Sequence, residues 1–193
     1  MRRLLFSFFL GLIVFCCPIH SGQANEGIPV REGDPFPDIP LAGIFSEEDW
    51  RYLGSLKEKG RSLSRIRSDF LLVELFSIYC PVCQKNAPKL ATLYNSVQGD
   101  NFLKRNIKFI GIGAGNNLRE TEYFKKYFSV PFPLIPDPQF KIHKALKDAR
   151  APLLIIVDKR KNPRIVAVLD FTKAPADLMK DIRAGINIHT KND

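Results

Sequence analysis

The sequence predicts an α/β fold of three layers, a central mixed sheet flanked by helices. Three observations carry that expectation. Two apolar runs of strand length, residues 70–76 and 107–112, each lead into a segment with helical spacing, the arrangement of parallel strands joined by right-handed crossovers. Two further runs, residues 153–158 and 164–169, flank a polar turn at Lys159-Arg160-Lys161-Asn162-Pro163 and read as an antiparallel hairpin. The chain then closes on residues 176–186, where Leu178, Met179, Ile182 and Ile186 form the apolar side of a helix.

Taken in order, Met1-Arg2-Arg3, the uncharged run 4–17, Pro18 and the small, polar Ser21-Gly22-Gln23-Ala24 read as a secretory signal peptide over residues 1–24. The run is shorter than the roughly 20 apolar residues that cross a bilayer, and an uncleaved anchor is the alternative reading. Pro29, Pro35, Pro37 and Pro40 predict an extended arm over residues 25–45, laid along a sheet edge. Residues 46–190 follow as one globular domain. In residues 49–60, Trp50, Tyr52 and Leu53 alternate with polar residues ahead of Lys57-Glu58-Lys59-Gly60, which predicts a strand and a turn. Residues 62–66 read as a helical turn capped by a serine.

The near-continuous apolar run 70–76 marks a strand buried on both faces. Ala87, Leu90, Ala91, Tyr94 and Val97 place a helix over residues 82–98, stopped by Gly99. A second buried strand follows at 107–112, and Asn117 opens a helix carrying Leu118, Tyr123, Phe124, Tyr127 and Phe128. The prolines of residues 130–138 allow only a short strand, and residues 140–146 read as a short helix. The hairpin and the closing helix complete the domain, with Pro175 acceptable in that helix's first turn.

With 45% hydrophobic and 25% charged residues, the chain has the composition of a compact globular domain. Its net charge of +9 is dispersed over the sequence, which predicts a solvated basic surface and no nucleic-acid partner. Of the four cysteines, Cys16 and Cys17 would leave with the leader, and Cys80 and Cys83 would remain. A bond between these two closes a tiny loop and constrains the unfolded chain little, so their use is chemical rather than structural. A zinc site would need a second pair of ligands, and His20, His143 and His189 show no ligand spacing. Haem attachment would need a histidine where Gln84 stands. Neither a metal nor a cofactor is expected.

Cys80-Pro81-Val82-Cys83 lies where a buried strand turns into a helix. There the unpaired amide N–H groups and the positive end of the helix dipole point at the first sulfur and stabilise its thiolate. Cys80 is therefore the expected nucleophile. Cys83, a helical turn on and deeper, is the expected resolving thiol.

The stretch Leu72-Val73-Glu74-Leu75-Phe76-Ser77-Ile78-Tyr79-Cys80-Pro81-Val82-Cys83, followed by Pro88, resembles the active-site strand and helix of thioredoxins. The resemblance implies a thioredoxin-like fold with an N-terminal extension and an inserted helix. It also implies that Glu74 is the buried acid handling protons for Cys83, a role that suits a carboxyl raised by desolvation. Tyr79 replaces the family's tryptophan, and Pro88 falls at the proline that kinks the helix. Ala151-Pro152 matches the family's cis-proline, which would expose the preceding backbone for pairing with substrate. Tyr79, Pro81, Val82, Ala151 and Pro152 are accordingly the expected substrate contacts.

The leader, the Gly33-Asp34-Pro35-Phe36-Pro37-Asp38 arm and the Gly113-Ala114-Gly115-Asn116 segment are similar to the membrane-associated TlpA/ResA branch of redoxins over residues 33–190. That branch reduces disulfides outside the cytoplasm. The similarity implies a periplasmic monomer, free or tethered by its leader. Its partners would be proteins bearing disulfides or dithiols and a membrane-bound protein that recharges it. Two features depart from the branch: a hairpin-like insertion at residues 46–66, and Pro81-Val82 in place of Glu-Pro. A dipeptide without histidine points to a reducing centre. A peroxiredoxin is one alternative, with Ser77 imitating its Thr-x-x-Cys motif, although Val73 stands where that motif needs proline. The other is a non-catalytic thioredoxin-fold binding module holding Cys80–Cys83 as an inert bond.

Overall fold

The computed structural model describes residues 29–41, 43, 45–54 and 62–190. The leader, with Cys16 and Cys17, lies outside them. The elements are α1 (Glu47–Leu53), a 3₁₀ turn at Leu63–Arg65, β1 (Phe70–Phe76), α2 (Pro81–Gly99), α3 (Leu103–Asn106), β2 (Ile107–Ala114), α4 (Leu118–Tyr127), β3 (Leu134–Asp137), α5 (Lys141–Ala145), β4 (Leu153–Asp158), β5 (Arg164–Leu169) and α6 (Pro175–Thr190).

The five strands form one mixed sheet in the order β3-β2-β1-β4-β5. β1 runs parallel to β2, β2 parallel to β3, and β4 antiparallel to both β1 and β5. Every residue of β1 is buried, as its central place demands, and alternate side chains feed opposite faces. Phe70, Leu72 and Phe76 join Leu90 and Leu93 of α2, Phe124 of α4, and Leu178 and Ile182 of α6 in one core. Leu71, Val73 and Leu75 join Phe36, Ile39 and Leu41 of the arm, Trp50 and Leu53 of α1, and Leu146 after α5 in the other.

The arm runs along the outer edge of β5. The Gly33 N–H donates to the Ile165 carbonyl at 2.8 Å, the Ile165 N–H to that of Asp34 at 2.8 Å, and the Phe36 N–H to that of Pro163 at 2.9 Å.

Three expectations need correction. The strand expected from residue 49 is the helix α1. Ser46 Oγ accepts the Asp49 N–H at 3.0 Å while the Asp49 carboxylate accepts the Ser46 N–H at 3.1 Å, a reciprocal capping box, and Gly54 closes the helix at φ 62°. Trp50 and Leu53, three apart, share its buried face, so the insertion at 46–66 opens with a helix, not a strand; residues 55–61 lie outside those described. Ser62 does not cap the turn that follows it. Its hydroxyl pairs with Ser64 Oγ at 2.7 Å, and the Ser64 N–H donates to Asp38. Lastly, α3 was not anticipated: Asp100 Oδ1 accepts the N–H groups of Phe102 and Leu103 at 3.0 and 2.9 Å and starts a fresh turn after α2.

Candidate active site

The site forms where β1 ends and α2 begins. Cys80 is the N-cap of α2 and Pro81 takes the first helical position, where its missing N–H costs nothing. The Cys83 N–H donates to Cys80 Sγ at 3.2 Å, so the helix terminus does bear on the first sulfur. Both thiols are free, Cys80 half-buried and Cys83 fully buried. Burial pushes the Cys83 thiol up, and its contact with Cys80 adds to the rise.

The turn before Cys80 is held from two sides. The Ile78 N–H donates to Asn116 Oδ1 at 2.9 Å, and Gln84 Nε2 donates to the Ile78 carbonyl at 2.6 Å. Tyr79, 72% exposed, donates its hydroxyl to the Glu120 carboxylate, whose second oxygen accepts the Asn117 N–H at 2.7 Å in the cap of α4. That bond raises the phenol and lowers the carboxyl of Glu120, both consistent with a neutral phenol bound to a carboxylate. Pro81 and Val82 are exposed beside the dithiol. Pro88 lies in the interior of α2 with no N–H to give the helix.

Glu74 stands on the same face of β1 as Leu72 and Phe76, next to Leu154 of β4 and Gly111 of β2. It is 2% exposed, and neither carboxylate oxygen has a hydrogen-bond partner among the described residues. Desolvation pushes its carboxyl up to about 8, and its charge raises the Cys83 thiol further. Leu153 pairs with Leu75, which brings the preceding Ala151–Pro152 peptide beyond the end of β1. That peptide is cis, and the Ala151 carbonyl lies 3.8 Å from Cys80 Sγ. All eight residues singled out in the sequence thus gather at one end of the sheet.

An accessible sulfur at a helix N-terminus, a buried thiol one turn on and a buried carboxyl near it can exchange a disulfide in two steps. No family model matches the chain. In sequence it is similar to thiol-disulfide oxidoreductase ResA of Geobacillus thermodenitrificans, 20% identical over 166 residues that span 86% of this chain and 84% of that protein. Two solved structures share the fold. The thioredoxin domain of a thiol-disulfide oxidoreductase from Bacteroides vulgatus superposes with a TM-score of 0.57 at 18% identity, covering 80% of this chain and 96% of that one. A thiol:disulfide interchange protein from Bacteroides sp. gives a TM-score of 0.58 at 19% identity, over 82% and 91%. The chain has a thioredoxin-like fold.

Sequence reasoning missed three residues of this site. Gln84 and Asn116 brace the Ile78 backbone, and Glu120 receives Tyr79. Only Glu120 had a local signal, the Asn117-x-x-Glu120 spacing of a capping box.

Proposed function

We propose that the chain is a thiol–disulfide oxidoreductase that reduces disulfides of partner proteins outside the cytoplasm through Cys80 and Cys83. The unequal placement of the two sulfurs is the observation that carries this reading. Cys80 is reachable and receives an N–H, whereas Cys83 is 0% exposed. The names of the relatives agree with it, the leader supports export, and the absence of histidine between the cysteines favours a reductant.

The Cys80 thiolate attacks one sulfur of a substrate disulfide. That bond breaks, the other sulfur leaves as a thiolate and takes a proton, and a mixed disulfide with Cys80 forms. The Cys83 thiol then passes its proton to the Glu74 carboxylate and attacks Cys80 Sγ. The second substrate sulfur departs and is protonated, and Cys80–Cys83 is left oxidised. Two electrons have moved to the substrate, and a membrane-held dithiol protein must return them. Tyr79, Pro81, Val82, Ala151 and Pro152 form the substrate rim, with the Ala151 backbone as the edge a substrate strand would pair with.

Cys83→Ala should accumulate mixed disulfides through Cys80, and the wild-type chain should reduce insulin. A chain that reduces peroxide but not insulin, or yields no adducts, refutes the reading. A Cys80–Cys83 reduction potential well below about −200 mV is the expected mark of a reductant.

A further inference from the structure

One flank of α4 leads away from the dithiol. Thr121 and Phe124 turn into the core, and helical periodicity sets Glu120, Tyr123 and Tyr127, spaced i, i+3 and i+7, in a row beside them. The row begins at the site, because Glu120 accepts the hydroxyl of Tyr79, the residue before Cys80. It continues outward with two tyrosines whose rings stack at 5.4 Å and 13°. Tyr79, Tyr123 and Tyr127 are 72%, 56% and 67% exposed, so three aromatic side chains along one path are left to solvent. Single exposed apolar groups are ordinary, whereas a contiguous set marks a contact surface. Tyrosine suits such a surface, since it offers a large face with few rotamers to immobilise.

Continuity and charge identify the occupant. From Glu120 to Tyr127 the helix rises about 10 Å, which an extended chain covers in about three residues. A polypeptide whose disulfide lies at Cys80 thus meets both tyrosines within a few residues of its cysteine. Arg119 and Lys126 are exposed on the solvent side of the row, and neither forms an ion pair among the described residues. Lys126 lines a shallow hollow of about 350 Å³ together with the two tyrosines. Lys125, on the other flank of α4, is by contrast taken up by Asp49 at 2.7 Å. An aromatic residue next to an acidic one fits this surface, the first on the tyrosine faces and the second against the unpaired cations.

We propose, resting on the dithiol exchange above, that Tyr123, Tyr127 and Lys126 form a docking strip for the polypeptide segment flanking the substrate's disulfide. The strip selects segments in which an aromatic residue stands beside an acidic one.

The test uses the full chain, reduced, in single turnovers against disulfide-linked peptide dimers. These carry a Phe-Asp, Phe-Lys or Gly-Ser pair about three to six residues to either side of the cysteine. The wild type should half-saturate at about tenfold lower Phe-Asp peptide than Gly-Ser peptide, with the limiting rate changed less than about twofold. Tyr123→Ala combined with Tyr127→Ala should erase that advantage yet leave the Gly-Ser peptide and a small non-peptide disulfide unaffected, which damage to the dithiol site would not. Lys126→Glu should turn the preference from Phe-Asp to Phe-Lys. Lys104→Glu, an equal change of charge on α3 at the far end of the sheet, should not. No preference in the wild type, a preference that the double variant keeps, or a loss of equal size for all three peptides overturns the proposal. So does binding to anionic phospholipid vesicles, or self-association, that falls in the double variant while peptide preference stays; the strip would then be a lipid contact or a contact between copies. A wild type that reduces none of the peptides refutes the dithiol reading instead. The same peptides with serine for cysteine still decide the strip, since the double variant should bind the Phe-Asp form about tenfold more weakly than the wild type does.

Discussion

Burial of Glu74 among Leu72, Phe76 and Leu154 raises its carboxyl from 4.5 to about 8, and this couples stability to pH. Between those values the unfolded chain has released the proton that the folded chain keeps, so stability falls as pH rises through the window and levels off above about 8. At about 1.4 kcal/mol per unit, Glu74→Gln should match the wild type near pH 4.5. Near pH 8.5 it should be more stable, by on the order of 3–5 kcal/mol. Urea unfolding at the two values measures this, and an equal gain at both would show that desolvation is not the cause. If the exchange proceeds as proposed, with Glu74 taking the Cys83 proton, the same variant should prolong the mixed disulfide. Cys80 and Cys83 were legible because they sit where a buried strand turns into a helix, whereas Glu74 and the Ala151–Pro152 pair were reached through the resemblance to thioredoxins. Asn116 was not legible, because its contact with Ile78 spans 38 positions and exists only once β1 and β2 lie side by side.

Among the elements, α1 shows how a short segment is misread. Trp50, Tyr52 and Leu53 fit a strand's alternation about as well as a helix's face over so few residues, and the deciding signal was in the polar residues. Ser46→Ala removes the acceptor of the Asp49 N–H and should cost about 1 kcal/mol, read as a lower urea midpoint with an unchanged slope. The turn after β2 is more constrained. Gly115 has φ 69°, and an added Cβ would meet the Phe140 ring. Gly115→Ala should therefore destabilise by roughly 1–3 kcal/mol and disturb Phe140 and its edge contact with His143. A thermal-shift series containing Gly99→Ala, where nothing lies within contact distance, separates this local clash from the general effect of replacing glycine.

For the whole molecule, composition and alternating strand–helix periodicity were enough to predict a three-layer α/β fold. The strand order was not legible, because it depends on which edges meet after collapse, and the placement of β4 beside β1 is what carries Ala151 to Cys80. The dispersed charge of +9 adds a long-range effect. Disulfide peptides rich in Asp and Glu should be reduced faster than Lys-rich peptides of equal length, and the gap should narrow as ionic strength rises from about 0.02 to 0.5 M. A gap that does not change with salt would mean that local contacts set the preference.

The arm along β5 has one more consequence. With Gly33, Asp34 and Phe36 bonded to that strand, the outer rim of the hairpin is already occupied. The opposite rim, β3, is only four residues long and contains Pro136, which has no N–H to offer a newcomer. Among the described residues the sheet thus presents no long row of vacant amides on which a second molecule could extend the ladder. Both rims of the sheet are in this way blunted against edge-to-edge pairing with another chain.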